Sequence, residues 1–461
     1  MKIINNIEKS IFRAYDIRGI YPEEINKEVS YTIGKSYGTN IKRLGKETCI
    51  VGHDNRTSSD ELATSLINGI LDTGINVIDI GLVTTPMMYF ACIKLNIPSG
   101  MMITASHNPK EYNGFKFSFD ERGNVRGEMI EEFRIFTEKG EFENGYGTYY
   151  KCDITESYIE LFKKSLDFGP KRIKAVLDLG NGTTSIIARK IYESFPIDIE
   201  ILYEESDGTF PNHHPDPCVE ENLEALKKRV IETKADIGIG FDGDGDRFGM
   251  VDEKGTFILN DMYMAIIIRD IIDKVNNKSF LLDVKCSKAL EDEILKLGGT
   301  PIWYRTGNSY TRAKIKTDHL PFGGELSGHV YFNDKFPGFD SGLYAGLRII
   351  ELLSKTEKKA SDLLEGINKY YSTEELKFAT TDDKKEEIVN KVKDYCVNKG
   401  YDIINIDGVR AKFSDGWSLV RSSNTGPNIT TRFEADTEER LKEIQTEFTN
   451  LIESHIKDIK E

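Results

Sequence analysis

The sequence predicts three related α/β mixed-sheet domains followed by a smaller C-terminal α+β domain, all packed around a central cleft. Three observations lead there. At 461 residues the chain is too long for one hydrophobic core. A strand–helix–strand rhythm begins three times along it. Residues 369–461 abandon that rhythm for short strands between two amphipathic helices. The expected boundaries are 1–150, 151–255, 256–368 and 369–461.

In the first unit Thr48–Val51 is an apolar strand running into the polar loop Gly52-His53-Asp54-Asn55-Arg56. Ser58 or Ser59 suits a helix N-cap, Leu62, Leu66 and Ile70 share one helical face, and Gly74 ends the helix. Ile75–Ile80 reads as the next strand, a helix starts near Pro86, and Gly100–Thr104 is a third strand. The second unit opens with the strand Ile173–Leu179, whose Gly180-Asn181-Gly182-Thr183 end is expected to start a helix, and continues with the strand Asp236–Phe241. The third opens with Phe280–Val284, then a helix ending near Gly298-Gly299 and the strand Pro301–Tyr304. The last unit holds a charged helix near Asp382–Asn398, strands around 402–406, 417–421 and 428–434, and a helix from Thr437 to about Ile456.

Composition narrows the function classes. Hydrophobic residues are 39% and charged residues 30%, as in an ordinary water-soluble globular protein. The most apolar stretch, Met262–Ile272, is short and interrupted by Arg269 and Asp270. The start, Met1-Lys2-Ile3-Ile4-Asn5, lacks a secretory apolar core. The six cysteines are scattered without a Cys-x-x-Cys pair, which argues against a disulfide framework or zinc site and fits a cytoplasmic protein. A formal net charge of -15 sets aside nucleic acid and anionic membrane as partners. It also means that any anionic ligand must meet cations gathered locally in one cleft.

Four segments carry chemistry. Asp242-Gly243-Asp244-Gly245-Asp246-Arg247 follows a buried-type strand. Carboxylates at alternate positions of a glycine-rich turn converge on a hard divalent cation. A solvated acidic turn would leave three aspartates repelling one another. An EF-hand loop would put Arg247 where glycine must turn the chain, and is rejected. A nucleophilic Asp242 forming an acyl-phosphate is the remaining chemical alternative. Next, Thr104-Ala105-Ser106-His107-Asn108-Pro109 precedes Tyr112-Asn113-Gly114-Phe115-Lys116. A serine beside a histidine and near a lysine could act as nucleophile or hold a phosphate, and a serine phosphate is a natural magnesium ligand. In Gly323-Gly324-Glu325-Leu326-Ser327-Gly328-His329, the residues Glu325, Ser327 and His329 alternate. Extended backbone would turn them to one side, where they suit sugar hydroxyls. Last, Arg421-Ser422-Ser423-Asn424-Thr425-Gly426-Pro427-Asn428 offers a guanidinium, hydroxyls and loop amides to a phosphate monoester.

Together with Phe12-Arg13-Ala14-Tyr15-Asp16-Ile17-Arg18-Gly19, these segments occur in the order and approximate spacing of the α-D-phosphohexomutase superfamily. Over essentially its whole length the chain resembles bacterial phosphomannomutase/phosphoglucomutase enzymes. The resemblance implies an isomerase that interconverts hexose 1-phosphate and hexose 6-phosphate, of mannose, glucose or both. It would work through a phosphoserine and a hexose 1,6-bisphosphate intermediate, in a central active-site cleft.

The same resemblance implies Ser106 as the phosphoserine, and Asp242, Asp244 and Asp246 as ligands, with the serine phosphate, of one Mg2+ per chain. Arg18, His107, Lys116, Arg247 and His329 would form the reaction centre. Tyr15, Lys285, Arg305, Asn308, Glu325, Ser327, Arg421, Ser423, Asn424 and Thr425 would bind substrate. Glucose 1,6-bisphosphate is the implied activator, a hexose phosphate the partner, and the chain a monomer or homodimer. Two positions depart from the family pattern. His53 stands where arginine is frequent, and Asn308 where members acting on mannose and glucose phosphates often have histidine. A phosphoglucosamine mutase is the nearest enzymatic alternative, set back by Tyr112, Phe115 and Leu326. A non-catalytic sugar-phosphate sensor is the other, set back by the intact serine, aspartates and Lys116.

Overall fold

The computed structural model describes residues 1–381, 383–423 and 426–458. The first three units share one plan, parallel strands in the middle and antiparallel pairing on one side. In the first sheet Tyr149–Lys151, Asn76–Leu82, Thr48–His53 and Gly100–Ile103 are parallel neighbours, and Tyr112–Ser118 and Ile17–Ile20 extend it through antiparallel pairs. In the second, Ile197–Leu202, Ile173–Asp178 and Ile237–Phe241 are parallel, followed by Phe248–Asp252 and Phe257–Ile258 in antiparallel pairing. In the third, Thr300–Tyr304, Ser279–Asp283 and Phe322–Gly324 are parallel and Val330–Phe332 is antiparallel. The parallel strands Gly100–Ile103 and Ile237–Phe241 are buried at every position, as strands covered on both faces must be.

The C-terminal sheet is antiparallel throughout. Asn428–Ala435 lies at its centre, paired with Gly416–Ser422, Leu376–Ala379 and Tyr371–Ser372, and the sheet continues to Val409–Phe413 and Asp402–Ile404. The helices Lys385–Asn398 and Glu438–Asp458 bury Ile388, Val392, Phe448 and Ile452 against Phe433 and Ile429.

This plan positions the four chemical segments. In each of the first three units, the connection from a parallel strand to its antiparallel neighbour is short. Ser106, the Asp242–Asp246 run and Glu325–His329 occupy those three connections. The Arg421 loop joins the two longest strands of the fourth sheet. The expected helix after Gly182 is instead a 3-10 turn, Thr183–Ile186, before a short helix, Ala188–Tyr192. Successive threonines have low helix propensity; the Thr183 amide, free at the start of the turn, donates to the Gly243 carbonyl at 2.8 Å. No helix among the described residues is long and apolar enough to cross a membrane, and the six cysteines are free thiols.

One apolar cluster runs through the first three units, from Met87 and Phe90 through Phe162 and Phe241 to Leu343 and Ile350. The fourth unit has a separate core. It meets the third at Arg410, whose guanidinium lies between Trp303 (4.1 Å) and Trp417 (3.7 Å) and donates to the Val284 and Cys286 carbonyls at 2.6 and 2.9 Å. These are the only two tryptophans in the chain, so indole fluorescence reports on this joint. Phe433→Ala should remove about 3–5 kcal/mol from the C-terminal core. Its urea midpoint, followed by tryptophan fluorescence, is expected to fall while the far-ultraviolet signal of the first three units unfolds at an unchanged midpoint.

Candidate active site

Ser106 follows the strand Gly100–Ile103 in a turn where its φ is +51°, in the left-handed region that β-carbon sterics disfavour by roughly 1–2 kcal/mol. Its amide donates to Thr104 Oγ1 at 2.8 Å, and its hydroxyl donates to Asp242 Oδ2 at 2.9 Å. His107 Nδ1 lies 3.2 Å from the same hydroxyl. Glycine is required opposite: a β-carbon on Gly243 would stand 2.5 Å from the Ser106 carbonyl oxygen.

Asp242, Asp244 and Asp246 are fully buried, and one oxygen of each lies within 4.8 Å of the others. Asp244 Oδ2 accepts from Thr85 Oγ1 (2.6 Å), Thr104 Oγ1 (3.2 Å) and Lys116 Nζ (2.9 Å). Lys116 also reaches Asp246 Oδ2 at 2.7 Å. The second oxygens, Asp244 Oδ1 and Asp246 Oδ1, are buried without a hydrogen-bond partner. Two orphaned carboxylate oxygens beside Asp242 and the Ser106 hydroxyl form an all-oxygen donor set of the kind that suits magnesium. Burial and the two neighbouring carboxylates push Asp242 well above the usual carboxylate range. For Asp244, burial acts in the same direction but Lys116 and Thr85 outweigh it and hold the group low. Lys116 is held well above its usual range, because Asp244 and Asp246 outweigh the cost of its burial. Burial, then repulsion from Arg247 and Arg18, holds His107 well below the usual imidazole range, so it is neutral at pH 7.

Above this floor opens a cavity of about 800 Å³ lined from all four units. The first contributes Tyr15, Arg18, Ser106, His107 and Lys116, and the second Arg247. Lys285, Asn308, Glu325, Ser327 and His329 come from the third, and Arg421 and Ser423 from the fourth. Arg18 donates to Asn108 Oδ1 at 2.6 Å and pairs with Asp16 at 2.5 Å. Lys285 lies 3.7 Å from Glu375, and Arg421 pairs with Asp407 at 2.9 Å. Asn424 and Thr425 lie outside the described residues.

One expectation, the extended backbone of the sugar loop, needs correction. Glu325–His329 is a tight turn rather than extended chain: the Glu325 amide donates to the His329 carbonyl at 2.9 Å, and Gly328 has φ +90°. The three side chains still converge, with Glu325 fixed by Thr311 Oγ1 (2.7 Å) and the Gly307 amide (3.2 Å). Arg305 does not line the cavity. Its guanidinium stacks 4.0 Å above the Tyr310 ring, which itself packs against Arg126 and Gly127.

Sequence reasoning misses Asp340 altogether. It is fully buried, accepts from His329 Nδ1 at 2.8 Å and from Asn308 Nδ2 at 2.6 Å, and sits with His329 and Asp246 in a second potential metal-ligand group. Arg247 Nε donates to His329 Nε2 at 2.9 Å, so the imidazole proton resides on Nδ1. Only the cap position of Ser341 beside a helix start hints at this segment.

A serine hydroxyl facing an oxygen-lined cation cradle, beneath a cavity rich in guanidinium and ammonium groups, is the equipment of a phosphoryl-transfer enzyme. The phosphoglucomutase/phosphomannomutase α/β/α domains I, II and III match residues 9–143, 156–255 and 260–370, and the C-terminal domain of that family matches residues 375–451. The chain is 38% identical to a phosphomannomutase/phosphoglucomutase of Pseudomonas aeruginosa over 446 residues, 96% of each chain. It is 36% identical to a phosphoglucomutase of Neisseria meningitidis over 98% of each. A solved phosphoglucomutase/phosphomannomutase family protein of Burkholderia thailandensis superimposes with a TM-score of 0.90 at 33% identity, covering 98% of each chain. The chain belongs to the phosphoglucomutase/phosphomannomutase family of α-D-phosphohexomutases, which is magnesium-dependent, and is a hexose phosphate mutase, an isomerase.

The Gly243 contact yields a direct test. Gly243→Ala must push the Ser106 carbonyl away from the aspartate loop, and a shift of about 1 Å at a reacting group costs on the order of 100-fold in rate. The variant should melt cooperatively but below the parent, by the roughly 1–3 kcal/mol that overpacking costs, while kcat falls by that factor, as a coupled assay for hexose 6-phosphate would show.

Proposed function

We propose that the enzyme interconverts the 1- and 6-phosphates of both glucose and mannose, with Ser106 carrying the phosphoryl group between the two positions. The observation that supports this best is the Ser106 hydroxyl, strained at φ +51° and held 2.9 Å from Asp242 at the floor of the cavity.

In the forward step the free hydroxyl of a hexose monophosphate attacks the phosphorus on Ser106. One P–O bond forms to the sugar, the P–O bond to Ser106 Oγ breaks, and the sugar proton passes to a group lining the cavity. The resulting hexose 1,6-bisphosphate turns over within the cleft. Ser106 Oγ then attacks the other phosphate, its proton leaving towards Asp242 Oδ2 or the neutral His107 Nδ1, the two acceptors within 3.2 Å, while the P–O bond to the sugar breaks and the sugar oxygen takes back a proton from the group that received one in the first step. Arg421 and the Ser423 segment grip the phosphate that stays, while Glu325 and Ser327 hold sugar hydroxyls. Lys116, Arg247 and Arg18 surround the phosphoryl group in transfer. Bound at Asp242, Asp244, Asp246 and the serine phosphate, magnesium would neutralise the carboxylates and draw charge from the transferring group. One ion per chain is the expected stoichiometry, since in the second candidate group His329 Nδ1 is already committed to Asp340. Glucose 1,6-bisphosphate acts as activator by recharging Ser106 after accidental hydrolysis. All four units contribute to the described site within one chain, and a monomer or homodimer remains the expected state.

Dual specificity is supported by the names of the relatives in Pseudomonas and by a sugar loop in which Glu325 and Ser327 are held for hydroxyls without a partner pair aimed at one epimer. Ser106→Ala is expected to lose roughly 10⁴-fold or more in kcat, and substantial residual mutase activity would sink the covalent route. Comparable kcat/KM for glucose 1-phosphate and mannose 1-phosphate, measured side by side with magnesium and a trace of glucose 1,6-bisphosphate, is the second expected outcome. Faster turnover of glucosamine 6-phosphate than of either would overturn the substrate assignment. Chelation should stop turnover of both sugars and magnesium should restore it.

A further inference from the structure

We propose that Arg56, a residue outside the cavity, is the positioning residue that holds Ser106 in its reactive conformation; this rests on Ser106 being the phosphoryl carrier.

The guanidinium of Arg56 is buried, with the residue 2% exposed, and all its terminal donors are spent on one loop. Nη2 donates to the carbonyls of Ser106 (2.8 Å) and Asn108 (2.6 Å), and Nη1 to those of Pro109 (2.7 Å) and Tyr112 (3.0 Å). Those carbonyls belong to the connection that carries Ser106 between the strands Gly100–Ile103 and Tyr112–Ser118. A left-handed serine does not persist by its own preference, so its surroundings must over-determine it. Four convergent hydrogen bonds from one rigid, planar group do so, and no other type of side chain supplies that fork.

Arg56 is itself fixed from behind. Its Nε lies 3.3 Å from Asp54 Oδ2, and Asp54 Oδ1 accepts from the Arg56 amide (3.0 Å) and from Ser59 Oγ. Ser59 and Ser58 accept from Asn113 Nδ2 at 2.9 and 2.8 Å, three residues before Lys116 on the same strand. On the other side the loop is keyed to the second unit. Asn55 Nδ2 donates to the Asn181 carbonyl (2.7 Å), and Thr183 Oγ1 donates to Asn55 Oδ1 (3.1 Å). The Thr183 amide donates to the Gly243 carbonyl. Asn55 and Arg56 therefore register the serine loop and the aspartate loop against each other, one residue for each.

A charge-pairing role and a positioning role separate in Arg56→Lys. Lysine keeps the charge opposite Asp54 but offers a tetrahedral ammonium in place of a planar fork. A second variant, Asp54→Asn with Arg56→Gln, removes the buried charges together and leaves none unpaired. Both are read by KM, kcat, melting temperature and the single-turnover rate at which labelled phosphate from glucose 1,6-bisphosphate reaches Ser106. Expected is a fall of about 100-fold in kcat and in the labelling rate, with KM for the hexose monophosphate within about threefold and a cooperative melt. Labelling of Arg56→Lys at the parent rate overturns the inference, and so do losses of rate that merely follow losses of substrate affinity and melting temperature in both variants. Label recovered on Ser106 of the parent enzyme upholds the carrier role, so that a failure in the variants then counts against Arg56 alone. Label found elsewhere in the parent removes the Ser106 reading and this inference with it.

Discussion

Three carboxylates buried side by side govern the rest of this structure. A single unpaired buried charge costs several kcal/mol, and Asp242, Asp244 and Asp246 share one small volume. The Arg247 amide of their own unit donates to Asp242 at 3.1 Å, but the compensation of Asp244 and Asp246 comes largely from outside: Lys116, Thr85 and Thr104 all reach across from the first. Folding the aspartate loop thus requires the first two units to dock, and docking delivers Ser106 to Asp242. The remaining electrostatic deficit is what a divalent cation would fill.

The same logic explains how a chain with a net charge of -15 presents a phosphate site. Cations are gathered in the cleft, and three of them are stored against carboxylates: Arg18 on Asp16, Lys285 near Glu375, Arg421 on Asp407. Stored in this way they stay ordered in the free protein. A phosphate must compete for them with their resident carboxylates, so its net binding energy is moderated. An intermediate that has to release one end, turn and be held by the other benefits from a moderate grip at both ends.

Much of this is legible in the sequence because the chemistry sits on short strand connections. Asp242–Asp246, Ser106 and Arg421 stand out locally as polar turns between apolar strands, and the succession of strands and helices needs only the repeated rhythm. What stays hidden depends on contacts between distant segments. The alternation of Glu325, Ser327 and His329 suggests extended chain, but pairing of Phe322–Gly324 with Val330–Phe332 forces a turn there. Arg305 has the chemistry of a substrate ligand, and the stacking of its guanidinium on Tyr310 carries no sequence signal. Asp340 and Arg56 carry no local signature, since each acts through partners many residues away.

The two departures from the family pattern turn out to be unequal. His53 donates through Nδ1 to the neighbouring Asp54 carbonyl and lies 3.5 Å from Asp60, away from the cavity lining, so it alters the flank of the Arg56 loop rather than the substrate pocket. Asn308 is buried in the pocket wall at the start of the helix Asn308–Thr317, donating to Asp340. An amide there can donate a hydrogen bond but cannot take up or release a proton near neutrality. His329 has both ring nitrogens engaged, by Asp340 and Arg247. On the proposed mechanism, proton transfer to the reacting oxygens then falls to groups with a free lone pair or an exchangeable proton near them: Asp242 and the neutral His107 beside Ser106, and the lysines Lys116 and Lys285. Three of those four groups stand on the serine side of the cleft, where the first two units meet, so the proposed proton traffic is weighted towards that side, with Lys285 alone reaching it from the third unit.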